Sequence, residues 1–265
     1  MERLAESIAA IAPTSGKRIS PELLARDEGI TLSFGSYAEA FDGLLEWKRG
    51  RFHIYCNLDR LESQSSARTR FTLGHELGHY FIDEHRRGLE SGQVPSHGSW
   101  VEFVSDLRVE QEADAFAAAL LMPRERFLPL AAAGIGLPGI LVAAEALGVS
   151  ATAAALRYVR LDVGRAAVIR WRQDGTRAWR HTAASWRLSG IAGGGPKSVA
   201  DLPSDSPTAM VFSDEASRGV QSKGSTLSFW FGRVQGGSSM DAIIHEQAIR
   251  LGRYGVLTVL VPEGT

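Results

Sequence analysis

The feature that most constrains how this 265-residue chain folds is a pair of histidines four residues apart, His75 and His79, with Glu76 directly after the first. Helical periodicity runs through this segment, from Ser65 to about Glu84. On a helix, residues i and i+4 lie on one face, so both imidazoles can contact one metal ion. Glu76 flanks that face, where a carboxylate is placed to accept a proton from water rather than to ligate. The segment therefore predicts a helix that carries a metal site.

A third ligand is expected from the next predicted helix, 101–121, because a catalytic zinc usually has three protein ligands. Glu110 and Asp114 are spaced i, i+4, so Glu110 can ligate while Asp114 accepts the N–H of a ligating histidine. Glu112 lies about 200° around the helix from Glu110 and is the main competitor. A carboxylate elsewhere in the chain is the third alternative. Small residues let this helix approach the His75 helix closely: Ala113, Ala117 and Ala118.

The remainder of the chain predicts a mixed α+β protein. Near residue 165 the sequence pattern becomes mainly strand-like. Before the His75 helix, a helix is predicted at 1–11, and a second begins at Pro21 with Ser20 as its N-cap. Strands are predicted at 30–34, 43–47 and 51–57. Residues 86–100 are predicted as a loop, and short helices follow at 138–147 and 150–159. Beyond them, strands are predicted at 166–171, 177–181, 209–212, 226–234 and 256–261, and a helix at 241–251.

Composition and charge exclude several other classes of protein. Hydrophobic residues make up 44% of the chain and the formal net charge is −1, so neither disorder nor a general attraction to nucleic acid is indicated. No run of about 18 apolar residues occurs, and the N-terminus lacks the basic and apolar regions of a signal peptide. The one cysteine, Cys56, cannot form an internal disulfide. These features predict a cytoplasmic protein that does not contact a membrane.

Three stretches resemble the ImmA/IrrE family of zinc metallopeptidases. They are Arg-Phe-Thr-Leu-Gly-His-Glu-Leu-Gly-His at 70–79, Glu-Gln-Glu-Ala-Asp-Ala-Phe-Ala at 110–117, and Leu-Leu-Met-Pro at 120–123. The spacing of Glu110 and Asp114 also resembles the gluzincin pattern, in which the glutamate is the third zinc ligand. Residues 143–157 are similar to the helix-turn-helix-like part of the same family.

The resemblance implies an α+β architecture in three parts. A zincin-like metallopeptidase domain would occupy 1–125 and a helix-turn-helix-like segment 126–163. A mixed α/β domain would occupy 164–265. Some members related to IrrE carry a GAF-like sensor domain at this place, and the strand-rich texture is compatible with one.

The resemblance also implies an activity, that of a cytoplasmic, site-specific endopeptidase using Zn²⁺, with Mn²⁺ as the alternative. Its substrate would be a cognate helix-turn-helix repressor, whose cleavage derepresses stress or DNA-damage response genes. In this mechanism His75, His79 and Glu110 hold the metal, Asp114 supports a histidine, and Glu76 is the general base. A second electrophile is expected, and the sequence does not choose among its candidates: Tyr80, His85, His97 and Arg70. Tyr80 is expected to pack beneath its helix, and His85 and His97 to be ordinary surface or loop residues.

Other features favour a regulator that binds DNA or a small molecule and uses zinc only structurally. Seven arginines lie between residues 156 and 186, against two acids. However, the helix at 150–159 carries alanines where base-reading side chains would be needed, so direct DNA binding is not predicted. Four tryptophans of the C-terminal region are expected to pack in an ordinary core, with a small-molecule pocket as the alternative: Trp171, Trp179, Trp186 and Trp230. The strand at 51–57 is the candidate edge for an extended peptide substrate.

Overall fold

The computed structural model of the chain describes residues 1–92, 99, 108–186, 194–231 and 242–263. Its contacts divide the chain into two compact units. Unit 1 consists of Met1–Phe127 and Glu145–Ser150, and unit 2 of Leu128–Ala144 and Ala151–Thr265. Both units contain helices and strands, which confirms the mixed α+β class. The three-part domain division stays a prediction.

Unit 1 buries the faces of several helices against one another and against a small sheet. Its described helices are α1 (Glu2–Ile11), α2 (Pro21–Asp27), α3 (Leu58–Leu61), α4 (Ala67–Phe81), α5 (Asp83–Glu90) and α6 (Arg108–Leu121). Its strands are β1 (Thr14–Ser15), β2 (Arg18–Ile19), β3 (Thr31–Gly35), β4 (Gly43–Lys48) and β5 (Arg51–Asn57). The last three strands form a sheet in the order β3-β5-β4, with β5 parallel to β3 and antiparallel to β4. Alternate residues of β5 enter the core: Phe52, Ile54 and Cys56.

Capping side chains determine where two helices of unit 1 begin. Ser20 accepts a hydrogen bond from the N–H of Leu23, and Pro21 is the first residue of α2, as predicted. Ser66 accepts a hydrogen bond from the N–H of Thr69 at the start of α4. This cap fixes the first turn of the helix that carries the two histidines.

Helices α4 and α6 pack closely because both present small residues where they meet. A Cβ atom added at Gly74 would lie 3.3 Å from the Cβ of Ala117, and one added at Gly78 would lie 3.1 Å from the Cα of Ala113. Ala113 and Ala117 are fully buried, which confirms the predicted small-residue surface at these two positions, whereas Ala118 is only partly buried. Residues 101–107 of the predicted helix lie outside the described residues. The close contact brings side chains of α4 within reach of carboxylates on α6.

Unit 2 contains a five-stranded antiparallel sheet. Its strands are β6 (Ala167–Trp171), β7 (Arg177–Thr182), β8 (Gln221–Thr226), β9 (Ile243–Arg250) and β10 (Val256–Pro262), in the order β7-β6-β10-β9-β8. The remaining described helices are α7 (Arg124–Ala131), α8 (Leu137–Leu147), α9 (Ala151–Arg160), α10 (Pro207–Ser213) and α11 (Leu227–Phe231). Trp171 and Trp230 are fully buried in the core on this sheet.

Three predictions for unit 2 are wrong. Residues 209–212 and 227–231, predicted as strands, lie in α10 and α11, and residues 243–250, predicted as helix, form β9. Residues 232–234 of the second stretch lie outside the described residues. Ser206 caps α10 through the N–H of Ala209, so the cap signal outweighs the short apolar run. Strand β9 pairs with β8 and β10, and this tertiary pairing overrides local propensity.

None of the described helices is by itself long and apolar enough to cross a membrane. Helices α8 and α9 meet that criterion only when taken together, across a bend of 116°.

Candidate metal centre

Two histidines of α4 and one glutamate of α6 meet in the interior of unit 1. The Nε2 atoms of His75 and His79 lie 3.1 Å apart. Oε2 of Glu110 lies 3.1 Å from Nε2 of His75, and its Oε1 lies 3.5 Å from Nε2 of His79. All three side chains are buried. The structure thus brings together the three residues predicted as metal ligands.

These side chains fit a metal ion in both chemistry and spacing. Zinc binds imidazole nitrogen and carboxylate oxygen at about 2.0–2.2 Å in tetrahedral geometry, which places ligand atoms about 3.3 Å from one another. The distances between the three groups, 3.1, 3.1 and 3.5 Å, lie close to that value. His75, His79 and Glu110 therefore form a group that could hold a metal ion.

Asp114 holds the other side of the His75 ring. Its Oδ1 lies 2.8 Å from Nδ1 of His75, and because an ionised carboxylate only accepts, Nδ1 is the donor. Nε2 of His75 is thereby left facing Glu110 and His79. Burial lowers the pKa of His75, but the hydrogen bonds to Asp114 and Glu110 outweigh it and raise the pKa to about 10. A metal ion bound at Nε2 would therefore displace a proton.

A cavity of about 460 Å³ lies beside the histidines. Glu76, which follows His75 on α4 and is buried, borders this cavity together with His79 and Glu110. The other residues around it are Leu45, Glu84, His85, Leu89, Ser99, Arg108, Val109 and Glu112. A carboxylate, a candidate metal group and a cavity of ligand size therefore occur together.

Glu112, the competing ligand, belongs to a different group of side chains. Its Oε2 lies 3.2 Å from Nε2 of His85, and its Oε1 accepts a hydrogen bond of 2.8 Å from Nε of Arg108. The ring of His85 is buried with its centroid 5.2 Å from that of His79, so the expectation of an ordinary surface or loop residue is wrong. The reason is that residues 86–90, predicted as loop, belong to α5, which carries His85 towards α6.

Two of the other candidate electrophiles, Tyr80 and Arg70, do not border the cavity. The hydroxyl of Tyr80 donates to Glu28, and its partly buried ring packs against the core, as expected. The guanidinium of Arg70 donates to the backbone carbonyls of Ile19 and Gly148. His97 lies outside the described residues. Of the four candidates, the described structure therefore brings His85 alone to the cavity.

The prediction that β5 offers a free edge is wrong, because β5 pairs on both sides. The edge of the sheet nearest the cavity is β4, whose Leu45 borders it. Gly43, at the start of β4, forms an isolated bridge with Ser99, which also borders the cavity. Sequence reasoning missed these three residues because strand order is a tertiary property.

This site and fold define a class: an α+β domain in which a His-Glu-x-x-His helix and a neighbouring helix bring two histidines and a glutamate together beside a cavity. Residues 61–158 match the model of a peptidase family described as the IrrE N-terminal-like domain. The match confirms the resemblance of this part of the chain to ImmA/IrrE proteins. The family suggests a metallopeptidase.

A solved structure with a similar fold is a transcriptional regulator of Mycobacterium tuberculosis. The match has a TM-score of 0.61 and 14% sequence identity, and it covers 98% of this chain and 74% of the other. At this identity the likeness concerns the fold alone. None of the curated proteins compared with the chain is significantly similar to it.

Proposed function

We propose that the chain is a zinc-dependent, site-specific endopeptidase. The observation that carries the proposal is the convergence of His75, His79 and Glu110 at zinc-like spacing, with Glu76 beside the same cavity. The family of residues 61–158 supports it. Mn²⁺ is the alternative metal, because its ligand preferences overlap and its availability in the cell matters.

The residues of the site divide the chemistry among them. A metal ion held by His75, His79 and Glu110 would polarise the scissile carbonyl and make a water molecule more acidic. Glu76 accepts the proton of the attacking water and delivers it to the leaving amine. Asp114 keeps a proton on Nδ1 of His75, which leaves Nε2 free to ligate. His85, which Glu112 orients, is the candidate for a polar contact to the substrate carbonyl.

The proposed substrate is a cognate helix-turn-helix repressor, whose cleavage in the cytoplasm would derepress stress or DNA-damage response genes. Support comes from the ImmA/IrrE resemblance and from the shared fold of a transcriptional regulator. An extended segment of the repressor would pair with β4 by β-augmentation. Beyond its bridge to Ser99, β4 pairs only with β5 within the part of the chain that the structure describes.

Unit 2 is the proposed place for a signal input, in the manner of a GAF-like sensor domain. A regulator with a purely structural zinc is the competing function. Structural zinc sites are closed by four protein ligands, whereas the described residues supply a group of three beside a cavity. This open arrangement favours catalysis.

Glu76→Gln separates the two functions, because the amide keeps the shape of the side chain but cannot accept a proton. New protein N-termini would be compared in cells that express the wild type or this variant, before and after DNA damage. We expect a new N-terminus within one small DNA-binding repressor in the wild type only, with equal zinc content in both purified proteins. The same N-terminus in the variant would remove Glu76 as the base. No difference under any stress would favour the regulator.

A further inference from the structure

Gly43, the first residue of β4, lies directly against the side chain of Glu76. A Cβ atom added at Gly43 would stand 2.6 Å from Oε1 of Glu76 and 2.5 Å from Cγ2 of Thr72. Real Cβ atoms do not approach other heavy atoms below about 3.0 Å, since overlap at this range is strongly repulsive. A methyl group added at position 43 would therefore force the side chains of Glu76 and Thr72 to shift.

The backbone around Gly43 is tied in place, so it cannot simply retreat from a larger side chain. The N–H of Ser99 donates to the carbonyl of Gly43 at 2.8 Å, and the N–H of Asp42 donates to the carbonyl of Ser99 at 2.9 Å. The carboxylate of Asp42 is fully buried and accepts hydrogen bonds of 2.6 Å from Arg60 and 2.7 Å from Arg68. Arg68 belongs to α4, so this ion pair anchors the start of β4 to the helix that carries Glu76.

On the sheet side, the neighbour of Gly43 is a buried, neutral thiol. Cys56 faces Gly43 across the β4–β5 pair and is buried. Burial, and then the nearby carboxylate of Glu76, raise the pKa of the Cys56 thiol, which therefore stays neutral. Oε1 of Glu76 is itself buried, while the side chain also borders the cavity. The backbone of Gly43 thus limits the positions that the Glu76 carboxylate can take on this side.

We propose that Gly43 is a positioning residue for Glu76: the absence of a side chain at position 43 fixes where the Glu76 carboxylate lies beside the candidate metal centre. Its catalytic importance rests on the proposed function, in which Glu76 is the general base. The positional claim concerns unit 1 alone and can be measured without metal and without substrate.

The first test is a double-mutant cycle on the full, metal-free chain. Gly43→Ala, Glu76→Asp and the double variant would be compared with the wild type by urea unfolding. Aspartate is one methylene shorter, so its carboxylate withdraws from the added methyl group. We expect Gly43→Ala to lower the urea midpoint, and to lower it by less in the Glu76→Asp background, where the contact with Thr72 at 2.5 Å remains. An equal loss in both backgrounds would show that Glu76 does not occupy the space at position 43.

The second test reads Glu76 directly, by the ¹³C resonance of its side-chain carboxyl in glutamate-labelled protein at pH 7.5. The resonance is identified by its absence in Glu76→Gln. Gly43→Ala should move it, whereas Gly224→Ala, a matched change in β8 whose Cβ would meet nothing nearer than 3.8 Å, should not. An unmoved resonance in folded Gly43→Ala protein would overturn the proposal.

If Gly43→Ala does not fold, Gly43→Ala/Thr72→Ser decides the matter. This double variant removes the methyl at 2.5 Å and leaves Glu76 as the severe contact. We expect it to fold and to show the moved resonance. If neither this variant nor Gly43→Ala/Glu76→Asp folds, the loss of stability arises from contacts other than those with Thr72 and Glu76. That result would reject Gly43 as the positioning residue for Glu76. If the double-mutant cycle shows the expected coupling between positions 43 and 76 but the protein has no peptidase activity, only the proposed function is rejected.

Discussion

Glu110 and Glu112 show how helix geometry gives two identical side chains different surroundings. They are two positions apart on α6 and so lie about 200° apart around its axis. Glu110 is turned towards α4 and approaches His75 and His79, whereas Glu112 pairs with His85 of α5. The sequence left this choice open because spacing alone does not say which face of α6 meets α4.

Removal of the two glutamates should affect metal binding differently. We expect Glu110→Ala to weaken zinc binding by more than about 100-fold, since losing a ligand costs more than losing an outer contact. Glu112→Ala serves as the matched control and should bind nearly as the wild type does. Competition with a coloured chelator on the purified full chain measures both. The opposite order of affinities would reassign the third ligand.

The raised pKa of His75 predicts how metal affinity depends on pH. Below its pKa of about 10 the ring is mostly protonated in the metal-free protein, so a metal ion must displace that proton. Apparent zinc affinity should therefore rise with pH, by up to about tenfold per pH unit for one proton. Chelator competition between about pH 6 and pH 8.5 checks the slope. Asp114→Asn removes an acceptor that raises the pKa of His75, so this variant should show a smaller slope of zinc affinity against pH. A zinc affinity of the wild type that does not change with pH would contradict this prediction.

At the scale of elements, the approach of α4 to α6 decides whether the site forms. Gly78 allows the backbones of the two helices to approach closely, since a Cβ there would lie 3.1 Å from the Cα and 3.2 Å from the carbonyl oxygen of Ala113. Both atoms belong to the backbone of a helix and cannot turn aside. The glycine of the motif is therefore a packing requirement as well as part of the pattern.

Gly78→Ala should lower the free energy of unfolding despite the better helix propensity of alanine. Propensity alone favours the variant by about 1 kcal/mol, whereas overpacking costs about 1–3 kcal/mol. We expect a net loss of up to about 2 kcal/mol by urea unfolding, together with weaker zinc binding as the helices separate. An equal or higher stability would mean that the two helices do not pack as closely as described.

The success of the sequence analysis differed among elements for physical reasons. Helix α4 and strand β5 were predicted because their apolar periodicity and flanking signals agree with their final packing. Strand β9 was not, because Ile243–Arg250 pairs with strands distant in sequence. Helix α10 was missed although Ser206-Pro207 repeats the cap signal of Ser20-Pro21.

At the scale of the whole molecule, the segments of the two units alternate along the chain, so neither unit is one continuous stretch of sequence. Residues 128–144 belong to unit 2 although they precede part of unit 1, and α9 packs on β6 and β7 within unit 2. A cut at the predicted boundary of 163 and 164 would therefore separate α9 from the strands it covers.

Fragments cut at this boundary should be less stable than the full chain. The fragment 1–163 keeps the candidate metal centre but exposes the buried face of α9, with Ala153, Ala154 and Tyr158. The fragment 164–265 lacks residues 128–144 and 151–163 of unit 2, which include α9. We expect a lower urea midpoint and self-association for the first, and no cooperative transition for the second, by circular dichroism and size exclusion. A cooperative transition of 164–265 matching the full chain would support the predicted boundary.

By itself, the sequence determined the helix that carries His75, Glu76 and His79, and the chemistry these residues can perform, because helical spacing is a local property. It also limited the partner of the histidines to a few carboxylates. Only the tertiary structure chose Glu110, turned His85 into the cavity and placed β4 at the edge beside Glu76. These features depend on which helix faces meet and on the order of the strands. Contacts between residues distant in sequence decide both.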